Sequence, residues 1–259
     1  MQMSLLKLEQ VTKRFGGLTA VSDFNLDLQE GELVGLIGPN GAGKTTVFNL
    51  ITNTYYLSEG KILFEGKDIT GLKTDRIAAA GIVRTFQNIR LFGELTVLEN
   101  VLTACHLRLR SSVFSAVFGF PEYKREELAM HEKARSLLKT LGLEKYERDQ
   151  AGSLPYGLQR KLEIARALAT QPKVLLLDEP AAGMNPEETL ALGALILKIR
   201  KEFQLTILLI EHDMSLVMTI CERIIVLDHG VTIAEGLPEE IQNNPDVITA
   251  YLGTGDLYA

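Results

Sequence analysis

Long apolar runs are missing from this chain. The cleanest, Val174-Leu175-Leu176-Leu177 and Ile207-Leu208-Leu209-Ile210, stop at Asp178 and Glu211. Both fall far short of the roughly 20 apolar residues that a membrane-crossing helix needs. The opening residues, Met1-Gln2-Met3-Ser4-Leu5-Leu6-Lys7, lack the charged region and apolar core of a signal peptide. Together these absences lead us to expect a cytoplasmic protein. Cysteine is scarce: Cys105 and Cys221 cannot make a secreted disulfide framework and lack metal-ligand spacing. They read as buried or half-buried thiols in a reducing compartment. Positive charge is in deficit, with 27 Lys and Arg against 33 Asp and Glu, a net charge of −6 and a pI near 5.4. That balance argues against a general nucleic-acid binder. Internal repeats, low-complexity segments and heptad stretches are also lacking.

What remains is an ordinary globular composition, 46% hydrophobic and 23% charged over 259 residues. Such a chain is too apolar to be mostly disordered and can bury about three quarters of its unfolded surface. Residues 4–35 read as short strands: Leu6, Leu8 and Val11 roughly alternate with polar residues, as do Phe24, Leu26 and Leu28, with Glu30-Gly31-Glu32 as a turn. Leu33-Val34-Gly35-Leu36-Ile37 is an unbroken apolar run, as in a strand covered on both faces. Val47, Leu50 and Ile51 then keep helical spacing, and Gly60 to Gly66 is strand-like. Residues 94–150 carry long helical patterns, such as Glu126 to Leu141, and read as a helical insertion. A helix beginning after Asn185 has that residue as cap, Pro186 at its first position and Glu187 and Glu188 at the positive end of its dipole. Strand-like Leu205 to Ile210, a short helix near Met214 to Cys221 and a hairpin over Arg223 to Ala234 follow. Strands alternating with helices predict an α/β fold around a largely parallel sheet.

Gly38-Pro39-Asn40-Gly41-Ala42-Gly43-Lys44-Thr45 matches G-x-x-x-x-G-K-[ST] between a buried strand and an amphipathic helix. Glycines let consecutive N–H groups curl round a polyphosphate, and the helix start faces negative charge. Lys44 can reach the β- and γ-phosphates, and the Thr45 hydroxyl can ligate Mg²⁺. Val174 to Leu177 ends in Asp178 and Glu179. Carboxylates at that edge of a parallel sheet point to where ligands bind. Asp178 is suited to Mg²⁺ and Glu179 to the attacking water. His212 closes another buried strand. No Asn/Thr-Lys-x-Asp motif for guanine is present.

These residues, in this order, resemble the ATP-binding cassette of ABC transporters over nearly the whole chain. The resemblance implies a P-loop core with a mostly parallel sheet and an antiparallel β subdomain (1–90 and 160–259), plus an α-helical subdomain (91–159). It implies that Phe15 stacks on adenine. The Walker A residues Asn40, Gly41, Ala42, Gly43, Lys44, Thr45 and Thr46 would bind ATP. Gln87, in Arg84-Thr85-Phe86-Gln87, resembles the Q-loop glutamine that touches Mg²⁺ and the attacking water. Asp178 and Glu179 resemble the Walker B pair, and His212 the switch histidine on the γ-phosphate. Leu154, Pro155, Tyr156, Gly157 and Gln159 stand in the signature motif that completes a partner's site. Arg84-Thr85-Phe86-Gln87, Leu162 to Leu168, Asp178 to Gly183, Asn244 to Ile248 and the insertion from His106 to Tyr123 are similar to the ATPase subunits of high-affinity branched-chain amino-acid importers. The implied partners are a second cassette (a paralogue or a second copy), two transmembrane permease subunits and, indirectly, a periplasmic solute-binding protein, with no nucleic acid. The implied place is the cytoplasmic face of the inner membrane. The runner-up readings are a urea or amide importer, a lipopolysaccharide exporter, or a non-transport cassette.

The signature departs from Leu-Ser-Gly-Gly-Gln. Pro155 has neither the serine hydroxyl nor an N–H, so the resemblance implies either a weakened partner site or simply another way of building the turn. Asn185 stands where the dimer-contacting D-loop carries aspartate. The three phenylalanines between Ser111 and Pro121 read as local core or as a patch that docks a membrane partner.

Overall fold

The computed structural model describes residues 4–106 and 121–252. The phenylalanine stretch and most of the insertion lie outside the described residues. By packing, the chain divides into two units, residues 1–84 with 173–259, and residues 85–172.

The first unit holds two sheets. Strands β1 (Ser4–Phe15) and β2 (Leu18–Gln29) are longer than their sequence pattern suggested and pair antiparallel through the Gly16-Gly17 turn. With β4 (Glu59–Phe64) and β5 (Lys67–Asp68) they form a four-stranded antiparallel sheet in the order β2-β1-β4-β5. The second sheet runs β10-β9-β3-β8-β7-β6. Its members are β3 (Leu33–Ile37), β6 (Ile82–Arg84), β7 (Val174–Asp178), β8 (Thr206–Ile210), β9 (Arg223–Asp228) and β10 (Val231–Gly236). All its pairings are parallel except β9 with β10. Every residue of β3, β7 and β8 is buried, which explains their unbroken apolar runs: a parallel strand covered on both faces has no solvent side to leave polar. Both sheets share one core with helix α1 (Lys44–Ile51), in which Leu6, Leu28, Leu36, Phe48, Leu176 and Leu208 are all buried. Cys105, of the second unit, and Cys221 are buried, free thiols. Burial pushes the Cys221 thiol up to about 12, which leaves it unreactive.

A short helix α2 (Thr74–Ala80) leads into β6. This edge strand has only three residues, too few for a periodic signal, and sequence reading missed it. Its place is secured by pairing with β7 and by Lys173 and Val174 both donating to the Gly81 carbonyl (2.8 and 3.0 Å).

The second unit is helical. It contains α3 (Val97–Cys105), α4 (Pro121–Thr140) and α5 (Tyr156–Ala169), which pack on one another. Thr96 caps α3 in a capping box with Glu99. Val97, Val101, Ala134, Leu138, Leu162 and Ala165 form its interior. The unit is wider than the 91–159 expected from sequence, because α5 buries its apolar face against α3 and α4. The first unit closes with α6 (Pro186–Phe203), α7 (Met214–Ile220), α8 (Pro238–Gln242) and α9 (Pro245–Leu252). Asn185 caps α6 in a capping box with Glu188, behind Pro186, as its sequence predicts. Among the described residues no helix is long and apolar enough to cross a membrane.

Candidate active site

The parallel sheet gathers the chemistry. Strands β3, β8 and β7 are neighbours running the same way, so the segments leaving their carboxyl ends emerge at one edge. Those segments carry the glycine-rich loop, His212, and Asp178 with Glu179.

The loop is built by backbone geometry. Gly38 has φ +147° and Gly43 φ +107°, and a Cβ at either would lie 2.0 Å from the Leu227 carbonyl oxygen or 2.6 Å from that of Ala20. Only glycine fits both places. The Ala42 carbonyl accepts from the Gly230 N–H (2.9 Å), which ties the loop to the β9–β10 turn. Lys44 is buried, and its ammonium donates to the carbonyls of Gly38 (2.6 Å) and Pro39 (2.9 Å), so the cation is held over the loop. Helix α1 starts with no side-chain cap and no acidic residue in its first turn. By contrast, α6 has Asn185, Glu187 and Glu188 there. The backbone N–H groups at the helix start, a dipole met by no acidic residue in the first turn, Lys44 and the hydroxyls of Thr45 and Thr46 make a donor set that suits a polyphosphate.

Phe15 ends β1 with its ring partly exposed. Tyr55 meets it edge to face, with centroids 5.2 Å apart, and Lys13 Nζ lies 4.7 Å from its centroid. Phe15 and Tyr55 thus make an aromatic pair at the surface of this unit. Sequence reading found Phe15 but not Tyr55, whose part depends on where the chain goes after α1.

Asp178 is buried at the end of β7 and accepts from Arg84 Nη2 at 2.5 Å. The other arm of that guanidinium donates to Asn49 Oδ1 of α1 (2.6 Å). Arg84 thus braces the acidic strand end against the helix that follows the phosphate loop. Sequence reading had taken Arg84 only as part of the motif around Gln87. Among the described residues no cluster of three or more His, Cys, Asp or Glu side chains could hold a metal ion. A hydroxyl and a single carboxylate suit Mg²⁺, which takes few protein oxygens and completes its shell with phosphate and water.

Glu179 has φ +47°, unusual for a residue with a side chain. Its N–H donates to the Ile210 carbonyl (2.9 Å), and its Oε1 lies 2.8 Å from His212 Nε2. The residue expected to act on the attacking water and the one expected on the γ-phosphate therefore meet in one hydrogen bond. The neighbouring Glu211 was missed. It is buried and accepts N–H bonds from Ala181 (2.6 Å) and His212 (3.0 Å). One carboxylate thereby joins the loop after Glu179 to the loop bearing His212. Burial holds its carboxyl above the ordinary 4.5, against the opposing pull of those N–H bonds. An acidic residue next to His212 was visible in sequence, but its partner 30 positions away was not.

Gln87 and the signature residues belong to the helical unit. Pro155 precedes α5, and its carbonyl accepts from the N–H groups of Leu158 (2.9 Å) and Gln159 (3.0 Å). Gln159 Nε2 donates to the Leu154 carbonyl (2.8 Å), closing the turn on itself. Tyr156 is partly exposed and Gly157 follows it in the first turn of the helix.

The model of the ABC transporter family matches residues 21–182, and the model described as branched-chain amino acid ATP-binding cassette transporter matches residues 231–256. The chain is 49% identical to the Pseudomonas aeruginosa high-affinity branched-chain amino acid transport ATP-binding protein BraF, covering 98% of this chain and 99% of that one. It is 50% identical, with the same coverage, to the Escherichia coli K12 protein LivG of the same description. Among solved structures, the ADP conformation of MJ1267, an ATP-binding cassette of an ABC transporter, superposes with a TM-score of 0.83 at 33% identity, covering 97% and 99% of the two chains. The dimeric bacterial ABC transporter cassette MJ0796 gives 0.75 at 28% identity, covering 90% and 98%. On its fold, its phosphate loop and these near full-length matches, the chain belongs to the ABC transporter family, as one of its ATP-binding cassettes.

Proposed function

We propose that this chain is the ATP-hydrolysing subunit of an importer of the branched-chain amino acids leucine, isoleucine and valine, working on the cytoplasmic face of the inner membrane. The observation that carries the ATPase part is the Glu179–His212 hydrogen bond at the sheet edge that also bears the phosphate loop. The solute rests on the half-identical relatives BraF and LivG, whose names state it.

In this mechanism the loop amides from Asn40 to Gly43, with Lys44, Thr45 and Thr46, hold the triphosphate, and adenine stacks on Phe15. Glu179 takes a proton from the water that attacks the γ-phosphorus in line. His212, bonded to Glu179, steadies the transferring phosphoryl group and holds the carboxylate in place. Mg²⁺, which Thr45 and Asp178 would hold with Gln87 added on family resemblance, supplies neutralisation of the phosphate charge when bound. Glu211 keeps the two reacting loops in register. A second cassette, paralogous or a second copy, would lend Leu154, Pro155, Tyr156, Gly157 and Gln159 to the γ-phosphate. Two permease subunits would take up the resulting motion, fed by a solute-binding protein outside the membrane.

The test is ATP-dependent uptake of labelled leucine into vesicles from cells lacking this chain, with and without the chain restored. Restored uptake supports the reading. Restored uptake of urea or an amide alone overturns the solute, and co-purification with ribosomes or DNA instead of permeases overturns transport.

A further inference from the structure

Arg160 is wholly buried, so its charge must be met by partners inside the protein. The guanidinium meets four. Nη1 donates to Glu163 Oε2 (2.6 Å) and to the Phe86 carbonyl (2.7 Å). Nη2 donates to the Gln87 carbonyl (2.7 Å) and to the Tyr156 hydroxyl (3.0 Å). Glu163, itself buried, accepts the Phe86 N–H through Oε1 (3.2 Å). Tyr156, Arg160 and Glu163 are spaced four and three residues apart on α5, so they share one face of the helix. That face grips the backbone at Phe86 and Gln87 from both the donor and the acceptor side. A planar five-donor fork can do this, whereas a lysine ammonium cannot span the same acceptors.

Tyr156 occupies the position where the family signature carries its first glycine. A glycine has no side chain to offer Arg160. Here the phenol closes a chain of contacts from the signature turn through the buried guanidinium to the carbonyl of Gln87.

We propose that Arg160 and Tyr156 are positioning residues that lock the signature turn to the backbone of Gln87, so that a displacement of one is passed to the other. The significance of this link rests on the proposed function, in which Gln87 serves this chain's own site and the signature serves a partner's. The link itself is a feature of packing within one helical unit and needs no nucleotide to be detected.

The experiment is amide hydrogen exchange of the full chain, read at the peptide containing Phe86 and Gln87, for the wild type, Arg160→Met and Tyr156→Phe. Loss of a charge-assisted bond should speed exchange there about tenfold in Arg160→Met and a few-fold in Tyr156→Phe. Peptides of α3 and α4 should exchange as in the wild type. ATP hydrolysis by the same variants should lose kcat, with KM for ATP changed less than about twofold, because the displaced group is not in the phosphate loop. Tyr156→Phe keeps the ring and removes only the hydroxyl, so it reads the link even if Arg160→Met does not fold. Unchanged exchange at Phe86 and Gln87 in folded Tyr156→Phe overturns the proposal, as does faster exchange spread evenly over the helical unit. Absence of ATPase activity in the wild type would sink the proposed function, while the exchange result would stand.

Discussion

The brace between Arg84 and Asp178 makes a demanding prediction. Their side chains are 6% and 4% exposed and meet at 2.5 Å, so neither charge has water to fall back on. Arg84→Met keeps most of the side-chain volume and deletes the cation. It leaves the Asp178 carboxylate buried without its guanidinium and takes a donor from Asn49. Breaking a buried pair from one side costs about 3–5 kcal/mol, and the lost bond to Asn49 about 1 more. At roughly 2–4 °C per kcal/mol for a protein of this size, the melting temperature should fall by ~10 °C or more. The assay is urea unfolding at pH 7 without nucleotide, for Arg84→Met, Asp178→Asn and the double variant. Once Arg84 is gone, neutralising Asp178 removes a buried charge that has lost its guanidinium. The double variant should therefore be at least ~2 kcal/mol more stable than the sum of the single losses implies. A loss below about 1 kcal/mol in Arg84→Met, or additivity within about 0.5 kcal/mol, would refute the reasoning.

Four further outcomes follow from the site. Glu179→Gln should retain ATP binding while single-turnover hydrolysis falls about 10²–10⁴-fold, the usual worth of a general base; surviving turnover would contradict the assignment. Lys44→Ala should weaken nucleotide binding about tenfold to a hundredfold, measured by titration calorimetry, because a charge-assisted contact to phosphate is lost. Pro155→Ser should raise the turnover of the assembled transporter if the missing hydroxyl limits the partner's site, and no change or a loss would identify the proline as simply this turn's construction. Glu211 sets a pH dependence. Burial raises its folded-state pKa above the ordinary value, so the folded protein binds that proton more tightly than the unfolded chain. Its contribution is fully present below the ordinary value of 4.5 and is lost as pH rises through the folded one. Lowering the pH from 7 to 4 should therefore stabilise the wild type relative to Glu211→Gln in urea unfolding, and a difference that is flat or of opposite sign would refute this.

Much of the site was legible in sequence because its chemistry is local. A phosphate loop is a run of consecutive residues whose glycines, lysine and threonine act on one ligand, and Gly38 and Gly43 declare their φ angles by their identity. The apolar runs of β3, β7 and β8 announced doubly covered strands, and Asn185, Pro186 and Glu188 announced the start of α6. What stayed hidden were partnerships. Arg84 meets Asp178 across 94 positions, Arg160 meets Phe86 across 74, and Glu211 meets Ala181 across 30. The edges of the helical unit were hidden for the same reason, and the edge strand β6 because three residues are too few for a periodic signal.

Sequence alone therefore determined the reaction class, the glycine-rich loop with its lysine and the doubly covered strands β3, β7 and β8, because each depends on neighbours along the chain. Tertiary structure alone decided which strands lie side by side, that Glu179 and His212 share a hydrogen bond, and that Asp178, Glu163 and Glu211 are buried with their particular partners. Parallel pairing and helix packing bring together residues far apart in the chain, and the low polarity of the resulting interior decides which charges must be met.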